Sequence, residues 1–534
     1  MISCNDLGKG GKETNPFFTS YKTPFDVPPF DQIKTEHFMP AFERGMAEEK
    51  EAVEKILSNP EAPTFENTIV AMDNAGLLLE RVSSVFFGLS SANTNPELQQ
   101  VQMEISPKLA AHGDEISLDP RLFEKIKSVY LNREDFNLTD EEDFILENTY
   151  LGLVRNGADL DPEKKEKLKE MNQELSVLRV KITQNVLAET NGYKLVISDE
   201  NELAGLPESV VRAAAEAAAA RDMEGKWLFT TQKPSMLPFL TYSQNRDLRA
   251  KLYSGYTMRG NNDNDYDNKE PLARMMEVRA NRAELLGYKT HAHLVLEPRM
   301  AKVPENVYSL IDELWKYALP AAKKDLVEMQ KIADNEGANF KIASSDWWFY
   351  SEKLRKEKYD LDDNELRPYF ELNNVMNGAF YVATNLYGIT FTEIKDIPRP
   401  QEEAVAFEVK EKNGSHLGVL YLDFHPRDGK NQGAWCGRYR SHRILNGKEI
   451  TPVVTMVMNF TRSSGDTPAL LSLDEVSTLF HEFGHALDGL FSTNSYGSSF
   501  GARDFVELPS QIMEHWVTEP EVLKIMPYTT RQER

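Results

Sequence analysis

The chain has 534 residues, 41% of them hydrophobic and 27% charged, enough for a large core and more than one structural unit. Its net charge of −23 leaves no basic field to meet phosphates, which argues against nucleic acid as a partner. No apolar run reaches the length of a membrane-spanning helix, and 2 cysteines give no disulfide framework.

The first residues, Met1-Ile2-Ser3-Cys4, look like the end of a bacterial lipoprotein signal, without the basic and apolar regions that should precede it. Two compartments follow from that: the cytoplasm, or the cell envelope with a lipid at Cys4 if the true start lies upstream. Residues 1–30 are rich in Gly, Pro, Lys and Asn and read as an arm or tether. From Thr35 to about Glu189 the apolar period is helical, with segments starting near Pro40, Asn67, Asn95, Asp140 and Pro162. In the last of these, Leu175, Leu178, Ile182 and Val186 read as core. Further helices are expected over Leu206–Asp222, Tyr242–Arg259, Pro271–Leu286 and Pro304–Asp334, with a short strand at Trp227. His291 and His293 are two apart and would not share a helix face, so ordinary polar roles are expected. The Asp/Asn-rich stretch Asn261–Asp267 has no calcium-loop pattern with a closing Glu and reads as a loop. The chain divides, on this reading, into an arm (1–30), an N-terminal helical region (31–200), helical channel walls (201–400) and a catalytic region (401–534).

Near Ala404 the period changes to two. Val405–Val409 and Leu417–Phe424 flank Asn413-Gly414, a hairpin signal, and a second Asn446-Gly447 separates Trp435–Ile444 from Pro452–Phe460. A small antiparallel sheet is expected, with the edge of strand 452–460 open to an added extended peptide. Cys436 reads as a small packed side chain.

The sheet leads into Ser472–Phe491, which carries His481-Glu482-Phe483-Gly484-His485. Ser472 and Glu475 form a capping box, and Val476, Leu479, Phe480, Phe483, Leu487 and Leu490 recur at helical spacing. His481 and His485, four apart, share one face and supply half of a tetrahedral zinc site. Glu482 is placed to act as general base on water. The third ligand is open. A metzincin pattern would need Gly and His where Asp488 and Phe491 stand, which excludes that class. A following helix, Asp504–Trp516, offers Glu507, Glu514 and His515, and spacing alone does not choose among them. Asp504 is a cap candidate, and Pro509 would kink the helix or shift its start.

The stretch His481–Leu487, then Arg503–Trp516, resembles the M3 family of zinc metallopeptidases, and within it the peptidyl-dipeptidase branch. Arg427–Trp435, Asn459-Phe460 with Gly465–Leu471, and Asn15–Phe42 are similar to that family too, so the resemblance runs from about Asn15 to the last residue. It implies a mainly helical, two-lobed zincin-type fold around a deep channel, with the small sheet beside the zinc helix. It also implies one zinc per chain, held by His481, His485 and Glu507, with Glu482 as base. The implied substrates are short unfolded oligopeptides, cut by a monomer that releases dipeptides from the C-terminus. The alternatives are an internally cutting oligopeptidase or an inactive peptide- or zinc-binding chain. Two departures stand out. Asp488 replaces a His common in the family, and lies on the ligand face where it could orient a ligand or simply be solvated. The family continues past the position of Arg534 with a Tyr- and Gly-rich segment that holds the substrate carbonyl, so a truncated chain is expected and its oxyanion donors are not assigned.

Overall fold

The period-two segment folds around one strand buried on both faces. In β5 (His416–Asp423), Val419 and Tyr421 face one side and Leu420 and Leu422 the other, and all four are buried. Such a strand reads as a near-continuous apolar run because neither face meets water. The computed structural model describes residues 15–360, 363–497 and 502–526; Cys4 lies outside them.

Helices longer than one turn are labelled in chain order: α1 (Thr35–Ser58), α2 (Leu77–Ala92), α3 (Pro96–Ser117), α4 (Pro120–Leu131), α5 (Asp140–Arg155) and α6 (Pro162–Gly192). These are followed by α7 (Glu208–Ala219), α8 (Lys233–Tyr242), α9 (Arg246–Thr257), α10 (Lys269–Leu285), α11 (His291–Leu296), α12 (Pro304–Asn335) and α13 (Trp347–Tyr359). The last are α14 (Leu372–Tyr387), α15 (Leu473–Leu490) and α16 (Leu508–Glu514). The fold is mainly helical, as expected. Two short strands, β1 (Leu195–Ile197) and β2 (Trp227–Phe229), pair among α7 to α9.

The main sheet contains β3 (Thr390–Glu393), β4 (Val405–Lys410), β5, β6 (Trp435–Arg440) and β9 (Val453–Val457), in the order β3-β4-β5-β9-β6. It is antiparallel except for β5/β9, which run parallel. The first Asn-Gly turns between β4 and β5, with Gly414 at φ +87°. The second closes a separate ladder of its own, β7 (Arg443–Leu445) with β8 (Lys448–Ile450), where Asn446 and Gly447 both have positive φ. The expected edge at 452–460 is corrected here: β9 lies inside the sheet, all its residues buried, because the parallel crossover inserts it between β5 and β6. The sheet ends in β3 on one side and, on the other, in β6. Its Cys436 packs on the core, and burial pushes the thiol up to about 12, away from reactivity.

The sheet separates two cores. One face carries Val454 and Met456 against α14 and α15. The other carries Val419, Tyr421 and Val453 against Phe38 and Phe42 of α1 and Val82, Val85 and Phe86 of α2. Phe17, Val27 and Phe30 belong to that second core, so the described part of the expected arm, residues 15–30, is packed into the fold. Three smaller differences concern helices. Tyr242–Arg259 is broken at Ser243, where α8 ends and α9 starts under an Asn245 cap. The helix α4, unforeseen, is capped by Asp119 with Pro120 in its first turn. Leu175, Leu178, Ile182 and Val186 are half-buried, and Leu175 faces a cavity. No helix among the described residues is long and apolar enough to cross a membrane.

Candidate active site

The site is built on α15. Ser472 Oγ accepts from the Glu475 backbone N–H, and the Ser472 N–H donates back to Glu475 Oε2 at 2.8 Å. The other Glu475 oxygen accepts from the Thr461 N–H at 2.7 Å, which ties the helix start to the chain leaving β9. Val476, Leu479, Phe480, Phe483, Leu487 and Leu490 are all buried against the sheet and α14. That apolar stripe turns His481 and His485 away from the core.

α16 crosses α15 at close range. A Cβ at Gly484 would lie 2.3 Å from the Pro509 carbonyl oxygen and 2.6 Å from Ser510 Cα, so only glycine fits between the histidines. The expected single helix from Asp504 begins later, at Leu508, with Pro509 in its first turn, where its missing N–H costs no hydrogen bond. Asp504 is not its cap. Its carboxylate accepts from the Met300 and Ala301 N–H groups at 2.9 and 3.0 Å.

This approach brings Glu507 to both histidines. Its Oε2 lies 3.3 Å from His481 Nε2 and 3.1 Å from His485 Nε2. One ligand atom from each of the three residues lies within 4.8 Å of the others. Ser510 Oγ donates to Glu507 Oε2 at 2.9 Å and is the main cause that holds this carboxyl below its usual range. Burial lowers the His485 pKa and favours the neutral imidazole. Glu514, left open as a ligand, is instead behind the site: its Oε1 pairs with His481 Nδ1 at 2.7 Å. A carboxylate on the far nitrogen fixes the ring and directs Nε2 to the cluster. His515 is exposed and outside the cluster.

Asp488 sits on α15 as expected, and its half-exposed carboxylate lies 3.3 Å from Arg438 Nη2 on β6. The heptad spacing was right about the face, and a neighbouring guanidinium decided the contact.

Glu482 is 5% exposed, and its Oε2 has no hydrogen-bond partner. Burial, the largest cause, pushes its pKa up to about 7. An unpaired buried carboxyl beside two imidazoles is a proton acceptor near neutrality. Two imidazoles and one carboxylate, with no thiolate, are also the donor set of a three-ligand zinc centre with an open position. The residues therefore fit such a metal. Sequence reasoning offered Glu514 only as a ligand and missed its place behind His481, and it missed Ser510 and the packing role of Gly484, because each acts through a contact between helices.

The profile of Peptidase family M3 matches residues 239–533. The chain is similar to a dipeptidyl carboxypeptidase of Escherichia coli K12, 39% identical over 95% of this chain and 75% of that protein. It is also similar to an oligopeptidase A of Salmonella typhimurium, 34% identical over 96% of this chain and 76% of that one. An organellar oligopeptidase A of Arabidopsis thaliana is 31% identical over 93% and 65%.

Proposed function

The chain belongs to peptidase family M3 and is a peptidase, and from that premise we propose that it hydrolyses short unfolded peptides with one zinc ion, releasing dipeptides from their C-termini. The observation that carries the chemistry is the convergence of His481, His485 and Glu507 beside the unpaired Glu482 carboxyl. Those three side chains would hold the metal. Zinc, when bound, supplies a Lewis acid that polarises a carbonyl and eases deprotonation of water.

The protein groups do the rest. Glu482 Oε2 takes the proton of the attacking water, and the same carboxyl returns it to the amine that leaves. Glu514 keeps the His481 ring aimed during both transfers. β6, one of the two terminal strands of the sheet, lies beside α15 and offers an edge along which an extended peptide can lie. The resemblance to the dipeptidyl carboxypeptidase favours cutting two residues from the C-terminus. The resemblance to oligopeptidase A supports internal cutting as the second reading.

The test uses Glu482→Gln and mass spectrometry of products from peptides with free and amidated C-termini. The variant is expected to keep its zinc, by metal analysis, and to lose about 10³-fold in rate. A variant that cleaves as fast as wild type removes Glu482 from the chemistry. Dipeptides from free termini alone support the first reading; internal cuts in amidated peptides support the second.

A further inference from the structure

β6 and α15 run side by side in the same direction. Ala434, just before β6, and Thr478 of α15 line one cavity, and further on Arg438 Nη2 meets the Asp488 carboxylate at 3.3 Å. The extended chain from Ala434 to Arg438 covers about 13 Å, and the helix from Thr478 to Asp488 covers about 15 Å. His481, Glu482 and His485 lie between those ends. A peptide along this stretch of β6 therefore passes the cluster and reaches the cavity of Ala434 and Thr478. At about 100° per residue, Thr478 projects between His481, three residues on, and Glu482, four residues on. Glu482 returns its proton to the amine that leaves, so that amine lies on the Glu482 side of the cluster, where Thr478 stands.

The cavity is small, about 100 Å³, and its walls are fixed. The far wall is α8, with Pro234 in its first turn and Pro238 inside it, both of restricted φ. Leu237 stands between them and packs on the core of α7 to α9. On the near wall the start of α15 is tied down by Glu475, which accepts from the Thr461 and Ser472 N–H groups at 2.7 and 2.8 Å. Below, Asn459 Nδ2 donates to the Gly433 carbonyl at 2.7 Å and the Asn431 carbonyl at 3.0 Å, which sets the chain entering β6. The polar groups of the wall are answered or face water. Thr478 donates its hydroxyl to the Asp474 carbonyl at 2.9 Å, Arg367 and Glu475 stand 3.7 Å apart, and Lys233 and Asp474 are exposed. Apolar faces of Pro234, Leu237 and Ala434 are left to meet a side chain. A cavity of about 150 Å³ takes one benzene ring, so this one stops short of an aromatic side chain.

We propose that this cavity receives the side chain of the residue whose amine is released, and that Leu237 and Thr478, on opposite walls, restrict that residue to a small apolar side chain such as alanine. The proposal rests on the peptidase reading of the site. A close-packed wall that cannot move rejects a larger side chain by sterics, and each added carbon that must be accommodated lowers the rate.

The experiment follows cleavage by the zinc-loaded full-length protein of one peptide that carries Gly, Ala, Leu or Phe at the residue whose amine is released. Mass spectrometry of the products identifies the bond cut, and kcat/KM is taken at that bond. It is expected to be about 100-fold higher for Ala than for Phe. Leu237→Ala is expected to raise the Phe peptide about 10-fold and to leave the Ala peptide within about 3-fold. Because Leu237 also packs on a core, a second variant narrows the cavity from the other wall. Thr478→Leu is expected to lower the Ala peptide about 10-fold against the Gly peptide, with zinc content unchanged. The same four residues placed on the acyl side of the cut bond should give ratios that neither variant moves. Equal cleavage of the Ala and Phe peptides, ratios that neither variant moves, or a size preference that follows the acyl side overturns the proposal and leaves the peptidase reading standing. A zinc-loaded wild type that cuts none of the peptides overturns both.

Discussion

α15 and α12 are both amphipathic helices with large apolar side chains, and they end in opposite surroundings. Ten of the 18 residues of α15 are buried, between the sheet, α14 and α16. Of the 32 residues of α12, only Met329 and Ala333 are buried, near its C-terminal end against α13. Tyr308, Leu314 and Trp315 are 64, 61 and 59% exposed. The difference is one of neighbours. A helix covered on three sides holds its histidines in fixed rotamers, which is what a metal site requires. A helix held at one end places nothing with that accuracy. The position of the candidate site on α15 therefore follows from packing.

The comparison breaks most severely where α12 is anchored. Its buried end packs on α13, and α13 starts after Asp346, which is fully buried. Asp346 receives Arg246 at 2.9 Å and Arg249 at 2.9 Å, and Arg249 is 2% exposed. Asp346→Ala leaves that guanidinium buried without its counter-charge, with only the Ser243 carbonyl at 2.7 Å to accept from it, a loss of about 3–5 kcal/mol. Native-state hydrogen exchange should show the amides of α12 and α13 opening sooner while α15 stays protected. The pH dependence has a definite sign. Burial raises the Asp346 pKa, but the bonds from Arg246, the Ala343 N–H and Arg249 outweigh it, and the folded value lies below the ordinary one. The stabilisation is thus present above the unfolded-state pKa and disappears as pH falls through the folded value. Wild type should lose α13 protection in that acid window, and the variant should show no further loss there. Equal exchange in both proteins at neutral pH would remove Asp346 as the anchor.

A smaller effect sharpens the other side. If α15 presents a fixed cluster, the carboxylate behind His481 matters to the metal. Glu514→Gln should weaken zinc binding about 10- to 100-fold, by competition with a chelating dye, with helix content unchanged. Asp488→Asn should leave zinc affinity where it was, since its partner is Arg438. The reverse pattern would return Asp488 to the role first expected of it.

Much of this was legible in the chain because the deciding forces were local. The capping box at Ser472, the apolar period behind His481 and the Asn413-Gly414 turn each need only a few neighbouring residues. Glu507 and Glu514 could not be separated that way. They stand seven apart, and the close approach at Gly484 decides which one reaches Nε2 and which one Nδ1. The place of β9 was hidden for a related reason: a parallel partner comes from a distant crossover, and period two says nothing of strand order. The burial of Phe17 and Val27 was missed because a Pro-rich stretch without period can still dock on a core already built.

The smallest expected effect tests the exposed face of α12 itself. If that face meets water, Leu314→Ser and Trp315→Ser remove little that folding had buried, and each should change stability by no more than about 0.5 kcal/mol. Their effect on α12 exchange should be equally slight, because the helix is held from its other end at Met329 and Ala333. Leu479→Ser on α15 gives the scale, since a polar atom would replace a side chain that is 3% exposed. Should Trp315→Ser cost 2 kcal/mol or more, the face is covered in solution. α12 would then be packed along its length like α15, and the contrast between the two helices would vanish.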